Sequence, residues 1–245
     1  MLQSIFGRSS VERDLSFIGV DMHSHMLPGL DDGAATIEES ISYFRNMKDW
    51  GYHKCILTPH ILPGVHNNSP ETILPVFERI NQELIWANID LDIAVAAEYM
   101  IEEKFIDLLL KEEPLLCMGN KKVLIEMSYV APSPFIETAL FRLNIQGYKP
   151  ILAHPERYGY YAADFNQYYR LKEMGCTFQL NLLSLSGYYG APVKKVALRM
   201  IKENLISYIG TDLHHHNHVD AIKAFTITKE FYEITKGMEL RNQEL

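Results

Sequence analysis

The chain has 245 residues, 47% of them hydrophobic and 22% charged, the balance of an ordinary soluble globular protein with room for one large barrel or two small domains. A formal net charge of −8 argues against a general nucleic-acid-binding surface, though not against a local basic pocket. Three cysteines without paired spacing (Cys55, Cys117, Cys176), a start that lacks the apolar core of a signal peptide, and no apolar run long enough for a bilayer together predict a cytoplasmic protein without direct membrane insertion.

Seven strand-like runs stand out in chain order, at about residues 17–22, 53–58, 91–97, 122–126, 149–153, 176–181 and 205–210. Helix-like stretches lie between most of them. Residues 36–50 open with Thr36 and Glu39 at capping-box spacing and place Ile37, Ile41, Phe44 and Met47 at helical intervals. Residues 70–89 begin at a proline and carry Ile73, Val76, Phe77, Ile80, Leu84 and Ile85 on one face. Residues 134–146, stopped by Gly147, and 192–204 repeat the pattern. Alternating strands and helices imply a mostly parallel sheet covered by helices. With no composition break, the chain reads as one α/β domain over 1–245, a closed or nearly closed barrel. The first eighteen residues and about 231–245 are expected to be peripheral, and 27–33, 62–70 and 186–192 read as active-site loops.

Polar clusters close the predicted strands. In order they are His23-x-His25, Thr58-Pro59-His60, Glu98, Glu126, His154-Pro155-Glu156-Arg157 and Asp212-Leu213-His214. In α/β barrels the active site lies at the C-terminal strand ends, where these clusters fall. Two histidines two apart on a strand share a face and suit one metal ion. An isolated H-x-H is more often a pair of solvated or core-satisfied histidines, but Asp212-x-His214 repeats the spacing at the last strand. A carboxylate ending a buried strand costs several kcal/mol unless it is paired, hydrogen-bonded or bound to a cation. A salt bridge explains one of Glu98 and Glu126 well, and the whole set poorly.

Five imidazoles and three or four carboxylates, with no thiolate, favour Mn, Fe or Zn and are too many for one ion. Arg157, three residues past His154, suits bidentate capture of phosphate or carboxylate, although a surface arginine paired to a neighbouring acid fits its position equally. Glu156 reads as structural or as support for a ligand. Positions six residues after each cysteine are Ile61, Val123 and Leu182, which excludes a cysteine-phosphatase loop. No P-loop, G-x-S-x-G or H-E-x-x-H is present.

The stretch from Asp21 through His23, His25, Leu27-Pro28-Gly29-Leu30-Asp31-Asp32-Gly33 to Ala34 resembles the opening motif of a branch of the PHP (polymerase and histidinol phosphatase) superfamily. That branch is the bacterial manganese-dependent protein-tyrosine phosphatases of capsule and exopolysaccharide operons. The later clusters follow in the expected order, so the resemblance spans about residues 19–215. It implies a distorted TIM-like (β/α)7 barrel and metal ligands at His23, His25, Asp32, His60, Glu98, Glu126, His154, Asp212 and His214. It selects Asp32 over Asp31, which spacing leaves open. It also implies a trinuclear site, where the ligand count by itself calls for two or three ions (Mn2+, with Fe or Zn as alternatives), and a phosphate-binding role for Arg157. One departure stands out: such phosphatases usually carry a second arginine after the last D-x-H, where this chain reads His215-His216-Asn217-His218. His218, or another of these histidines, is the expected replacement as a phosphate contact.

The expected reaction is hydrolysis of phosphotyrosine by a metal-bridging hydroxide, with Arg157 on the phosphoryl group and His214 among the catalytic residues. By resemblance the partner is the phosphorylated tail of a bacterial tyrosine kinase. Competing readings are a phosphoesterase for a small phosphomonoester such as histidinol phosphate, an amidohydrolase, and a non-enzymatic metal-bound scaffold. An amidohydrolase normally has a histidine on strand six, where this chain has Gln179 and Asn181. Tyr158, Tyr160, Tyr161, Tyr188 and Tyr189 near the strand ends either stack a phosphotyrosine ring or pack within the protein, the latter being favoured.

Overall fold

The computed structural model describes residues 14–245. Among these residues nine short strands alternate with helices: β1 (Val20–Asp21), β2 (Lys54–Leu57), β3 (His60–Ile61), β4 (Asp92–Val95), β5 (Glu98–Met100), β6 (Lys122–Glu126), β7 (Lys149–Ala153), β8 (Thr177–Asn181) and β9 (Tyr208–Gly210). Every strand pairing is parallel, in two sheets of order β1-β2-β4 and β3-β5-β6-β7-β8-β9. Two of the runs read as single strands are each broken in the middle. Pro59, which has no N–H to give a ladder, separates β2 from β3, and Ala96-Ala97 separate β4 from β5. Counted as broken strands, these pairs leave seven strand positions among the described residues, the distorted α/β barrel expected.

The two sheets join beyond their formal ends. Asp212 N–H donates to His23 O (2.8 Å) and His25 N–H to Leu213 O (3.0 Å), so the first and last strands meet and close the ring. The ends that meet are the C-terminal ones, which brings both H-x-H-like pairs together.

The helices anticipated from periodicity form as α1 (Ile37–Asp49), α2 (Pro70–Trp86), α4 (Ile136–Ile145) and α7 (Ala191–Lys202). Thr36 caps α1 by accepting from Glu39 N–H, and the Glu39 carboxylate reaches back past the cap to accept from Ala35 N–H. Beside these are α3 (Glu103–Leu110), α5 (Gly159–Ala162), α6 (Asn166–Glu173), α8 (His216–Thr226) and α9 (Lys229–Thr235). The stretch after Asp212-x-His214 is thus the first turn of a helix.

Both termini differ from expectation. Residues 1–13 of the anticipated extension lie outside the described residues. Leu15 and Ile18 are fully buried, and Leu15 N–H donates to Trp50 O, so this part of the extension belongs to the core. The C-terminal segment is not peripheral either. Asn242 is fully buried at the N-terminal end of the barrel, donating to Val20 O (2.8 Å) and Ile209 O (2.7 Å) and accepting from Ile209 N–H (3.0 Å). It bridges β1 and β9 where they would otherwise gape.

Candidate active site

The strand ends set the side chains. Asp21 is buried and accepts from Thr211 N–H and Oγ1–H, both at 2.8 Å, pinning β1 to β9. Burial pushes its carboxyl up to about 7 against those bonds. His23 and His25 then leave β1 on the same face. Strand β9 passes so close that a Cβ on Gly210 would lie 2.7 Å from His23 Cβ, and the following loop folds back so that one on Gly33 would lie 1.9 Å from His25 O. Only glycine fits at either point. His60 and Glu98 are partners in the β3–β5 register, and Glu126 ends β6 beside them. His154 and Asp212 follow their strands with φ of 35° and 50°, in the left-handed region that side-chain-bearing residues seldom adopt. Such backbone strain clusters at functional sites.

All nine residues named by the resemblance converge. Four overlapping groups have donor atoms close enough for one cation each: His25, Asp32, His60 and His214; His23, His154 and Asp212; His23, His25 and Glu98; His60, Glu98 and Glu126. Glu98 is shared. One of its oxygens lies 2.9 Å from His23 Nε2 and 3.3 Å from both His25 Nε2 and His60 Nδ1, and the other lies 3.2 Å from His154 Nε2.

The histidine tautomers test whether a cation fits. His23 Nδ1 faces Gln179 Oε1 at 2.9 Å and His25 Nδ1 faces Asp31 Oδ2 at 2.8 Å, so both Nδ1 atoms donate. Their Nε2 atoms then carry lone pairs, yet they face one another at 3.1 Å with Glu98 and Asp212 oxygens beside them. Acceptors crowded together with no hydrogen between them are satisfied by a cation. Without one they must hold protons instead. Against the burial that would lower it, Glu98 and Asp212 push His23 up to about 9.

Arg157 lies over this centre and meets Asp212 Oδ2 through Nη1 at 2.9 Å. Its guanidinium carbon sits 4.6 Å from the Tyr129 ring centre and 4.2 Å from that of Tyr189. A cavity of about 520 Å³ opens here, lined by Asp32, His60, His154, Arg157 and His214 and also by the apolar Leu62, Met100, Met127 and Val130. His218 lines it from α8. Burial and the adjacent His215 push His218 down to about 4. The tyrosines divide: Tyr158 is fully buried with its hydroxyl accepting from Met127 N–H, Tyr160 donates to Ser128 O, and Tyr161 packs inside. Only Tyr189 of the five named also lines the cavity. Glu156 is buried away from it, accepting from Asn181 N–H and Ser184 Oγ–H, and burial pushes it up to about 7.

Residues 19–230 match the family described as capsular polysaccharide synthesis, CpsB/CapC. The chain belongs to this family. Tyrosine-protein phosphatase YwqE of Bacillus subtilis is 31% identical over 236 residues, covering 92% of this chain and 93% of that protein. Tyrosine-protein phosphatase CpsB of Streptococcus agalactiae is 31% identical over 205 residues, covering 80% and 83%. A solved structure from work on YwqE of Bacillus subtilis and CpsB of Streptococcus pneumoniae, described as unique metal-dependent tyrosine phosphatases, superposes with a TM-score of 0.74 at 29% identity over 90% of this chain and 92% of that one. A lactonase from Listeria monocytogenes shares the fold alone, with a TM-score of 0.54 at 10% identity over 93% and 90%.

In this CpsB/CapC chain several site residues escaped the sequence reading as members of the site. Gln179 Oε1 serves His23 and also faces His154 N–H at 3.3 Å, while Asn181 Nδ2 donates to Asp212 Oδ2 at 2.9 Å. Both are inward-facing polar residues two apart on a buried strand, a signal that was available. The Asp31 side chain is buried and accepts from His25, Gly33 N–H and His60 N–H; although burial opposes it, His25 holds the carboxyl down at about 2. Asp32 instead reaches out towards His60, His66 and His214. His66, stacked on His60, and Tyr129 come from loops, where no spacing marks them. No helix among the described residues is long and apolar enough to cross a membrane.

Proposed function

We propose that this family member is a metal-dependent protein-tyrosine phosphatase. The observation that carries the reading is the set of facing lone-pair nitrogens and carboxylates around Glu98, which needs cations to be satisfied. His23, His25, Asp32, His60, Glu98, Glu126, His154, Asp212 and His214 hold two or three ions, and mixed imidazole–carboxylate ligation suits Mn2+, with Fe or Zn as alternatives. Such ions, when bound, lower the pKa of water towards neutrality and neutralise phosphoryl charge.

The protein's own groups do the rest. Arg157 takes phosphoryl oxygens with the N–H groups that Asp212 leaves free. His214 turns Nδ1 to Asp212 O at 2.8 Å, so its Nε2 offers a lone pair towards Asp32, which suits a ligand better than a proton donor. A tyrosine leaving group departs as phenolate near pKa 10 and needs less protonation than an alkoxide. His218 lines the cavity and is placed to contact the substrate. The amidohydrolase reading weakens further, because Gln179 and Asn181 are engaged with His23 and Asp212.

The relatives' names and the family's link to capsular polysaccharide synthesis support, as substrate, the phosphotyrosine tail of a bacterial tyrosine kinase, met in the cytoplasm. The test is phosphate release from a phosphotyrosine peptide by protein stripped of metal and reloaded with Mn2+. Its absence refutes the proposal. Small phosphomonoesters assayed alongside separate the histidinol-phosphate type of activity, and His60→Ala should lose bound metal by elemental analysis.

A further inference from the structure

The guanidinium of Arg157 sits in a closed ring of contacts. Nη1 donates to Asp212 Oδ2, the same oxygen accepts from Asn181 Nδ2, and Asn181 Nδ2 also lies 3.3 Å from the Tyr189 hydroxyl. The Tyr189 ring returns to Arg157, its centre 4.2 Å from the guanidinium carbon. Tyr129 adds a second ring at 4.6 Å, and its hydroxyl lies 3.4 Å from His154 Nε2. No acceptor other than Asp212 is hydrogen-bonded to the guanidinium among the described residues, so its remaining donors are available to the cavity that Arg157 lines.

A long arginine side chain is otherwise free to swing, and ordering it on binding costs affinity. Aromatic faces suit a guanidinium because the ring quadrupole attracts the cation and the flat surfaces fix its plane. Here the need is acute, since Arg157 is the one lysine or arginine among the described residues lining the cavity.

We infer that Tyr129 and Tyr189 are positioning residues that clamp Arg157 for phosphate, and that neither is a stacking platform for the substrate's own ring. This rests on the phosphate-binding role proposed for Arg157. Tyr129 keeps nearly half its surface exposed, and Tyr189 is half-buried, so both tolerate substitution without opening the core.

The experiment is calorimetric titration of inorganic phosphate into the Mn2+-loaded protein, in parallel with kcat and KM for an aryl phosphate. Tyr129→Leu and Tyr189→Leu should each weaken phosphate binding on the order of fivefold, while Tyr129→Phe and Tyr189→Phe, which keep the ring, stay within about twofold. In an Arg157→Ala background both leucine substitutions should have no further effect, because the rings act through the guanidinium. If the leucine variants bind phosphate as the wild type does while Arg157→Ala does not, the clamp is wrong and the role of Arg157 stands. If Arg157→Ala binds phosphate normally, the underlying reading fails first. If the leucine variants raise KM for aryl phosphate in the Arg157→Ala background as well, the rings touch the substrate directly and the inference is overturned.

Discussion

Gln179→Leu probes the tautomer argument at its root. The side chains are similar in size, so the barrel interior stays filled. The substitution removes the oxygen that faces His23 Nδ1 at 2.9 Å and His154 N–H at 3.3 Å, both groups essentially without solvent access. Each buried donor left without a partner costs about 1–3 kcal/mol, so the pair costs about 2–6 kcal/mol. At about 2–4 °C per kcal/mol for a protein of this size, the lower end alone is a loss of roughly 4–8 °C in melting temperature. The effect on metal is separate: freed from Gln179, His23 can place its proton on Nε2, the atom turned towards Glu98 and His25. Loss of such an orienting partner weakens metal binding by about 10–100-fold. Competition for Mn2+ against a chromophoric chelator measures this directly, with thermal unfolding of the metal-free protein alongside. A folded Gln179→Leu protein that holds Mn2+ as tightly as the wild type would refute the assignment of His23 Nε2 as a ligand atom.

Three further outcomes follow from the geometry. Gly33→Ala forces a methyl group to within 1.9 Å of His25 O, so it should destabilise the fold by at least about 1–3 kcal/mol in denaturant unfolding and displace His25, seen as lost metal in elemental analysis. Asn242→Ala strips three buried backbone hydrogen bonds from β1 and β9 and should lower unfolding stability by about 2–4 kcal/mol; an unchanged denaturation midpoint would mean that the C-terminal segment does not hold the barrel shut. Adding Mn2+ to the stripped protein at a hundred times its dissociation constant should stabilise it by about 2.7 kcal/mol if the ions bind only the folded state, and a melting temperature indifferent to Mn2+ argues against a centre at Glu98.

Much of the fold was legible because its signals are local. Apolar runs followed by amphipathic stretches mark parallel strands and their covering helices, and Thr36 with Glu39 marks where α1 begins. The short helices α3, α6 and α8 were not legible. Segments of eight to eleven residues span only two or three turns, too short for periodicity to stand out, and in α8 the histidines drew attention to chemistry and away from periodicity. The breaks in two strands were half-signalled by Pro59 and invisible at Ala96-Ala97.

The sequence by itself determined the kind of centre this protein has. Imidazoles and carboxylates placed after buried strands have few inexpensive explanations, and the strand-then-loop order sends them to one end of a barrel. Tertiary structure alone decided how they are held. Asp31 and Asp32 are neighbours in the chain, yet one is folded under His25 as an acceptor while the other reaches into the cavity. Gln179 and Asn181 acquire meaning only when β8 lies between β7 and β9, and Tyr129 meets Arg157 across 28 positions of chain. Local pattern records which residues are costly to bury. Which partner meets that cost depends on contacts between segments distant in sequence, and those exist only once the barrel has closed.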